Sequence, residues 1–391
     1  MSITTLETLQ QWATNPLGPV ALTLKQMLTS VECINEGDPC VIYPPTYADI
    51  GYNIDPLADG KKVALVDSVG SQANRMEPVF KSDDADKSKW LVPQVQIALG
   101  KDKDATKLSL LDLAHRGADA VVQSSGELAK KIKQAFSTLR NTGDAGPLCA
   151  IAPTSLVFGV WDSRGGSSEK RPRLVRSVIR AWDVEVLHAA AQFNSVWKEL
   201  DEKAQKDLQT EADKQKKKLS TKGFADVPAT FRKVSTAAAA YMREFTKDGS
   251  PNPERRVLGG VLVHGPISRD VTINLVALRG LRASGEETQQ LQKYLLGLAL
   301  IAATADLDTF LREGCHLRYT GEDQWYSVPR RGTPTKVDLT SGEAAKNIRT
   351  LATSGADHFR KKWPEQTEYT FDIAEAKKLL AAKEEEEVQP E

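Results

Sequence analysis

Residues 63–80, VALVDSVGSQANRMEPVF, constrain the chain more than any other stretch. Val63, Ala64, Leu65 and Val66 form a short apolar run suited to a buried strand. Asp67, Ser68 or Ser71 can then cap a helix that starts at once, and Pro78 predicts its end, because proline has no amide hydrogen and disfavours a helical residue before it. Gln72, Asn74, Arg75 and Glu77 ride on that helix. A strand feeding such a helix presents amide donors and one cation, equipment that suits phosphate or ribose oxygens. An ordinary capped surface helix explains the same residues, and local chemistry alone favours it.

Charge balance names no partner. Lys+Arg and Asp+Glu both total 52 in 391 residues, which argues mildly against a nucleic-acid binder, so any polyanion site must come from how charge is distributed. The 40% hydrophobic and 27% charged content is that of a globular chain able to bury a real core. Cys33, Cys40, Cys149 and Cys315 are scattered without a CxxC pair and read as small core hydrophobes. The five histidines show no metal-ligand grouping. No signal peptide and no membrane-length apolar run is present, which points to the cytoplasm, with no cofactor and no metal.

Along the chain, residues 2–14 predict an amphipathic helix and 20–31 an early strand or two. Residues 90–99 read as extended, 111–122 and 127–139 as helices, and 154–161 as a strand partnered by 183–188 across an elaborated hairpin. Residues 195–222 are heavily charged and helical, and 195–250 form a helical insertion closed by Ser250-Pro251-Asn252-Pro253. Residues 256–263 and 271–278 look like an antiparallel pair. Residues 286–312 predict the strongest helix, with Gly314 as its C-cap. From Thr320 the chain reads as turn-rich, ending in a helix over 371–383 and an acidic, disordered tail. The fold class is therefore α+β with one antiparallel sheet.

The most basic window is 161–180, where Arg164, Lys170, Arg171, Arg173, Arg176 and Arg180 oppose only Asp162 and Glu169. Arginine forks match phosphate oxygens and can stack on bases, so this cluster beside Gly165-Gly166 suits an extended polyanion, although a solvated charged hairpin fits equally well. Walker spacing, a GxSxG elbow and a carboxylate metal cluster are all missing.

SVGSQANRME resembles the SxQSQANRxE signature of the backbone subunit of type I-G (formerly I-U) CRISPR surveillance complexes, in the Cas-seven branch of the RAMP superfamily. Gly70 departs from the usual Gln. Pro44-Pro45-Thr46-Tyr47, residues 156–164 (LVFGVWDSR), residues 311–317 (LREGCHL) and the HRGADA stretch 115–120 agree in order, over roughly residues 20–320. The resemblance implies a modified RNA-recognition-motif (ferredoxin-like) core. Its first part would span 1–194 with a thumb hairpin near 162–180, then the charged helical insertion 195–250, the rest of the palm at 251–320, and a C-terminal extension 321–391.

It also implies a non-catalytic protein that polymerises with further copies of itself along the spacer of a CRISPR guide RNA and supports recognition of the target DNA strand. Implied partners are a fused Cas-five/Cas-six-type subunit, a large subunit and a recruited helicase-nuclease. Ser68, Ser71, Gln72, Asn74 and Arg75 are the expected palm contact to RNA; Trp161 and Arg164 carry over to a second contact, to which Arg173 and Arg176 are added on charge alone. Arg75→Ala is expected to weaken RNA binding with little loss of folding. The rivals are a RAMP-type endoribonuclease and a protein-interaction module built on the charged helix.

Overall fold

The computed structural model describes residues 4–35, 37–47, 51–100, 104–161, 170–189, 200–215 and 257–387. Eight strands make the main sheet: β1 Ala21–Ser30, β2 Ile54–Pro56, β3 Lys62–Asp67, β4 Val175–Trp182, β5 Ile267–Asn274, β6 Phe310–Arg312, β7 Cys315–Val328 and β8 Thr335–Val337. Their order in space is β6-β7-β1-β5-β4-β3-β2, with β8 paired to β7. Every neighbouring pair is antiparallel.

The sheet is covered on one side because its strands alternate. In β1, Leu22, Leu24, Gln26, Leu28 and Ser30 point inward while Lys25 is exposed. Six helices matter for the site and the core: α1 Leu6–Thr14, α2 Val69–Met76, α3 Gly126–Thr142, α4 Pro153–Phe158, α5 Thr288–Thr304 and α6 Gly342–Arg360. Of these, α2, α4 and α5 pack on β4, and α5 also reaches β5. Helices α5 and α6 cross closely where Gly297 meets Ala352; a Cβ at Gly297 would lie 2.7 Å from the Ala352 backbone. Leu291, Leu295 and Leu298 on α5 are fully buried, each contributing roughly 1.5–3 kcal/mol on transfer from water.

Two apolar clusters lie on the inner side. The larger joins Leu22, Leu24, Val175, Val271 and Ile273 to the helices. The smaller joins Leu28, Ile179, Ala181 and Ile267 to a second sheet of three strands, Cys40–Ile42, Val184–Ala189 and Val257–Val263. Gln26 sits between Leu24 and Leu28, so a polar row divides the two clusters.

The strand–cap–helix reading of 63–80 matches β3 and α2, with Ser68 as the cap; Pro78 falls in a 3-10 turn, Glu77–Phe80, that continues from the helix. Other expectations change. Residues 153–158 are helical, since Pro153 starts a helix easily and a short apolar run has no period that separates buried helix from buried strand. Residues 175–182 are a central strand of the main sheet, so a projecting hairpin does not extend through Arg180; residues 162–169 lie outside the described residues. The strands at 257–263 and 267–274 belong to different sheets, as do 160–161 and 184–189. The expected helix over 111–122 is broken by 3-10 turns, and Arg116 takes a left-handed φ of 54°. Helix α5 stops at Thr304, and Gly314 lies in the β6–β7 turn instead of capping it.

The region after Thr320 is largely regular: β7 runs to Val328 and α6 completes the core. A helix over Ile373–Glu387 includes the glutamate run. Within the charged insertion, Glu202–Lys214 is a helix; the expected helix over 231–245 lies outside the described residues.

Candidate nucleic-acid interface

Helix α2 stands over the polar row with two different sides. Its inner side is anchored. Gln72 is buried; its Nε2 donates to Asp67 Oδ2 at 2.6 Å, and its Oε1 accepts from Ser177 Oγ at 2.7 Å and Arg269 Nε at 3.1 Å. Arg269, only 1% exposed, also donates Nε to Ser177 Oγ at 3.1 Å and Nη1 to Gln26 Oε1 at 2.7 Å. Gln26 Nε2 in turn donates to Asp323 Oδ1 at 2.7 Å. An irregularity between Lys25 and Met27 in the β1–β7 pairing sits beside this contact, the kind of bulge that re-aims a side chain. Burial presses the Arg269 pKa below its usual range, opposed by the nearby Tyr319, Asp323 and Asp67.

Arg75 extends the same framework. Its Nε pairs with Asp67 Oδ2 at 3.1 Å, and its Nη2 donates to Leu311 O at 3.0 Å. The β6–β7 hairpin it holds is also tied to the 44–47 stretch, through Arg312 Nη1 to Pro44 O at 3.1 Å. Ser68 caps α2, its Oγ accepting from Ser71 N at 3.3 Å.

The outer side of α2 opens on a cleft of about 320 Å³. Gly70 and Asn74 of α2 form one wall, and Ala114, His115 and Arg116 a second. Gly159 and Val160 follow α4, and Arg171, Pro172 and Arg173 complete the rim. Gly159 makes this closure possible. Its φ is +77°, and a Cβ there would lie 2.7 Å from Arg173 Cγ and 3.0 Å from Arg171 O. Arg173 Nε donates to Phe158 O at 3.0 Å, and among the described residues no carboxylate pairs with it. Burial lowers its pKa.

Arg116 is 4% exposed and forms the back of the cleft. Its Nη2 donates to Asn74 Oδ1 at 3.2 Å, and its Nε lies 2.6 Å from Glu77 Oε2. The guanidinium also stacks 5.2 Å from the centre of the Phe158 ring. Burial lowers the Arg116 pKa; Glu77 opposes that, and the neighbouring Arg173 charge adds to it. Two like charges therefore converge on one opening, an arrangement that an anion would relieve.

The sequence-derived set is split by this geometry. Asn74 and Arg173 reach the cleft. Gln72 and Arg75 are committed to the framework behind it, and Ser68 and Ser71 to the helix cap. Arg176 is exposed on β4, opposite Thr272, and by strand alternation points to the other face from Ser177. Trp161 pairs through its backbone with Lys170; its side chain, like all of Arg164, lies outside the described residues. Arg116, Glu77 and Gly159 have no site role in the sequence reading, and Arg171 enters it only as one of the basic cluster over 161–180. The HRGADA stretch and the final Glu of the α2 signature were the available signals.

A family model described as CRISPR-associated protein GSU0053 matches residues 24–186. That span contains every segment that lines the cleft. A solved structure described as "CRISPR RNA-guided surveillance complex, pre-nicking" is similar over 93% of this chain and 99% of that chain, at 12% identity and a TM-score of 0.33, too low for the likeness to carry an argument. No curated protein matches the chain. Among the described residues no helix is long and apolar enough to cross a membrane, and no cluster of three or more His, Cys, Asp or Glu is placed to hold a metal ion.

Proposed function

We propose that the chain is a guide-RNA-binding subunit of a CRISPR surveillance assembly, and that the cleft beside α2 grips a phosphodiester of the RNA. One observation carries this reading. Segments far apart in sequence, 70–74, 114–116, 159–160 and 171–173, converge on an opening lined by three arginines. The family match over residues 24–186 supports the CRISPR association. A modified RNA-recognition-motif core is supported by the order β7-β1-β5-β4, which is the fourth-first-third-second order of a split βαβ sheet with helices in both crossovers.

On this reading, contacts go to phosphate and sugar, and pairing between guide and target reads the sequence. Several copies line one guide of the type I-G kind in the cytoplasm, without catalysing a reaction. They work beside a capping subunit of the fused Cas-five/Cas-six type, a large subunit and a recruited helicase-nuclease, and accept the target DNA strand. Filter binding with guides of scrambled spacer sequence tests it. Arg173→Ala should weaken all of them alike, by roughly tenfold or more, and flatten the salt dependence. Unchanged affinity, or strong preference for one spacer, would count against the cleft as a backbone grip.

A second reading has one observation in its favour. His115, a titratable group, stands on the rim of the arginine-lined cleft, where a ribonuclease would place a general base. Incubating the chain with labelled RNA, with and without divalent metal, separates the two: cleavage that is lost on His115→Ala would make the protein an enzyme.

A further inference from the structure

The wall behind the cleft is built in a way that support alone does not require. Glu77 opens the turn Glu77–Phe80 and is fully buried. Its Oε2 lies 2.6 Å from Arg116 Nε, yet neither carboxylate oxygen nor that Nε makes a well-formed hydrogen bond. A buried pair kept for stability needs those bonds, because each ion loses its hydration. The Arg116 side chain meanwhile lines the cleft beside Asn74, on a backbone left-handed at φ 54°.

We propose that Arg116 binds a phosphate of the RNA in the cleft and that Glu77 takes up a proton as that contact forms. This rests on the cleft being the RNA site. With the cleft empty, Glu77 is the counter-charge that lets Arg116 remain a cation beside Arg173. A bound phosphate supplies that counter-charge from the other side, and two anions then share one guanidinium. The buried carboxylate is the one that yields, because burial has already pushed its pKa up to about 7.

The groups around Glu77 are few. Arg116 and the Thr154 hydroxyl of α4 pull its pKa down, and Asp112, itself paired with Lys81 at 2.6 Å, pushes it up. His115 and Arg171 lie on the rim and Arg173 faces Arg116. The sign follows. Bound phosphate raises the Glu77 pKa above about 7, so affinity is weakest at high pH, tightens as pH falls toward about 7, and levels off below it. Each unit of that rise appears as a tenfold gain in affinity.

The test uses the full chain and a fluorescein-labelled polyuridylate of roughly twenty nucleotides, read by anisotropy at constant ionic strength from about pH 6.5 to 9. His115→Asn is carried in both arms to remove the histidine titration. The expected result is that the arm retaining Glu77 tightens about tenfold as pH falls from 9 to 7, while Glu77→Gln binds at the tight level throughout. Equal slopes in the two arms overturn the proposal. A measurement on the unaltered protein guards against a folding defect in the variant: calorimetry near pH 8 in two buffers of different ionisation enthalpy. Uptake of roughly half a proton per chain, as a tenfold linkage requires at that pH, supports the proposal, and no uptake overturns it. Arg173→Ala separates this from the wider reading. If Arg173→Ala leaves RNA affinity unchanged, the cleft itself is misassigned; if it weakens binding while proton uptake is nil, only the Glu77–Arg116 linkage fails.

Discussion

Two arginines on either side of α2 show what burial does to the same side chain. Arg269 lies under the helix with Gln26, Gln72 and Ser177 around it, tied across the sheet to Asp323 at one end and Asp67 at the other. Arg116 lies beyond the helix, as deeply buried, yet its partner Glu77 is poorly bonded and its charge is crowded by Arg173. The first is a finished network; in the second, Arg116 holds Asn74 and the carbonyls of Ala114 and Gly159, but its Nε and the Glu77 carboxylate meet without a well-formed hydrogen bond. A count of basic residues cannot separate them; the direction and completeness of their hydrogen bonds can.

The contrast breaks most decisively at Arg269. Arg269→Met removes one member of a satisfied buried network and should cost about 3–5 kcal/mol in urea unfolding, with no effect specific to RNA. A loss under about 1 kcal/mol would mean that the network is not holding the sheet.

Glu77 comes next, through pH. Its folded pKa of about 7 stands above the ordinary 4.5, so the stability it lends is complete below pH 4.5 and is lost as pH rises through about 7. Wild type should lose on the order of 3 kcal/mol relative to Glu77→Gln across that window. Parallel stability–pH curves for the two proteins would show that Glu77 is not perturbed in the folded state.

Arg75→Ala sharpens the comparison on one helix. Because Arg75 is tied to Asp67 and to the carbonyls of Phe310 and Leu311, its loss should lower stability by roughly 1.5–3 kcal/mol, contrary to the mild folding effect expected from sequence. Arg173→Ala should do the opposite, with a stability change of about 1 kcal/mol or less and its main effect on RNA affinity. Thermal melts of both variants, set beside their binding curves, decide whether framework and cleft are separable.

What could be read from sequence follows from range. The unit around α2 was legible because a strand, a cap and a helix within twenty residues obey local rules, and Ser68 caps as its chemistry requires. Helix α6 was not, since GEAAKNIRTLATSGADHFR carries small and polar residues whose value lies in letting α5 approach closely. The cleft was half legible. Asn74 and Arg173 were singled out, but Gln72 and Arg75 were assigned outward when buried partners more than a hundred residues away hold Gln72, and Arg75 turns to Asp67 and the β6–β7 hairpin. Arg116 was hidden because nothing local tells a helical residue from a left-handed one whose side chain meets a carboxylate far along the chain.

The polar row under α2 also answers a question of alignment during folding. Along β1 the inward residues Leu22, Leu24 and Leu28 are nearly interchangeable, so a slip by two residues against β5 would keep oil facing oil. It would also set a leucine opposite Arg269 and strip its Nη1 of the Gln26 acceptor, at a cost of about 1–3 kcal/mol. Only one alignment of β7, β1, β5 and β4 lets Asp323, Gln26, Arg269 and Ser177 find one another. The row is thus a lock with a single key position, proofreading an assembly whose pieces come from residues 26 to 323 of the chain.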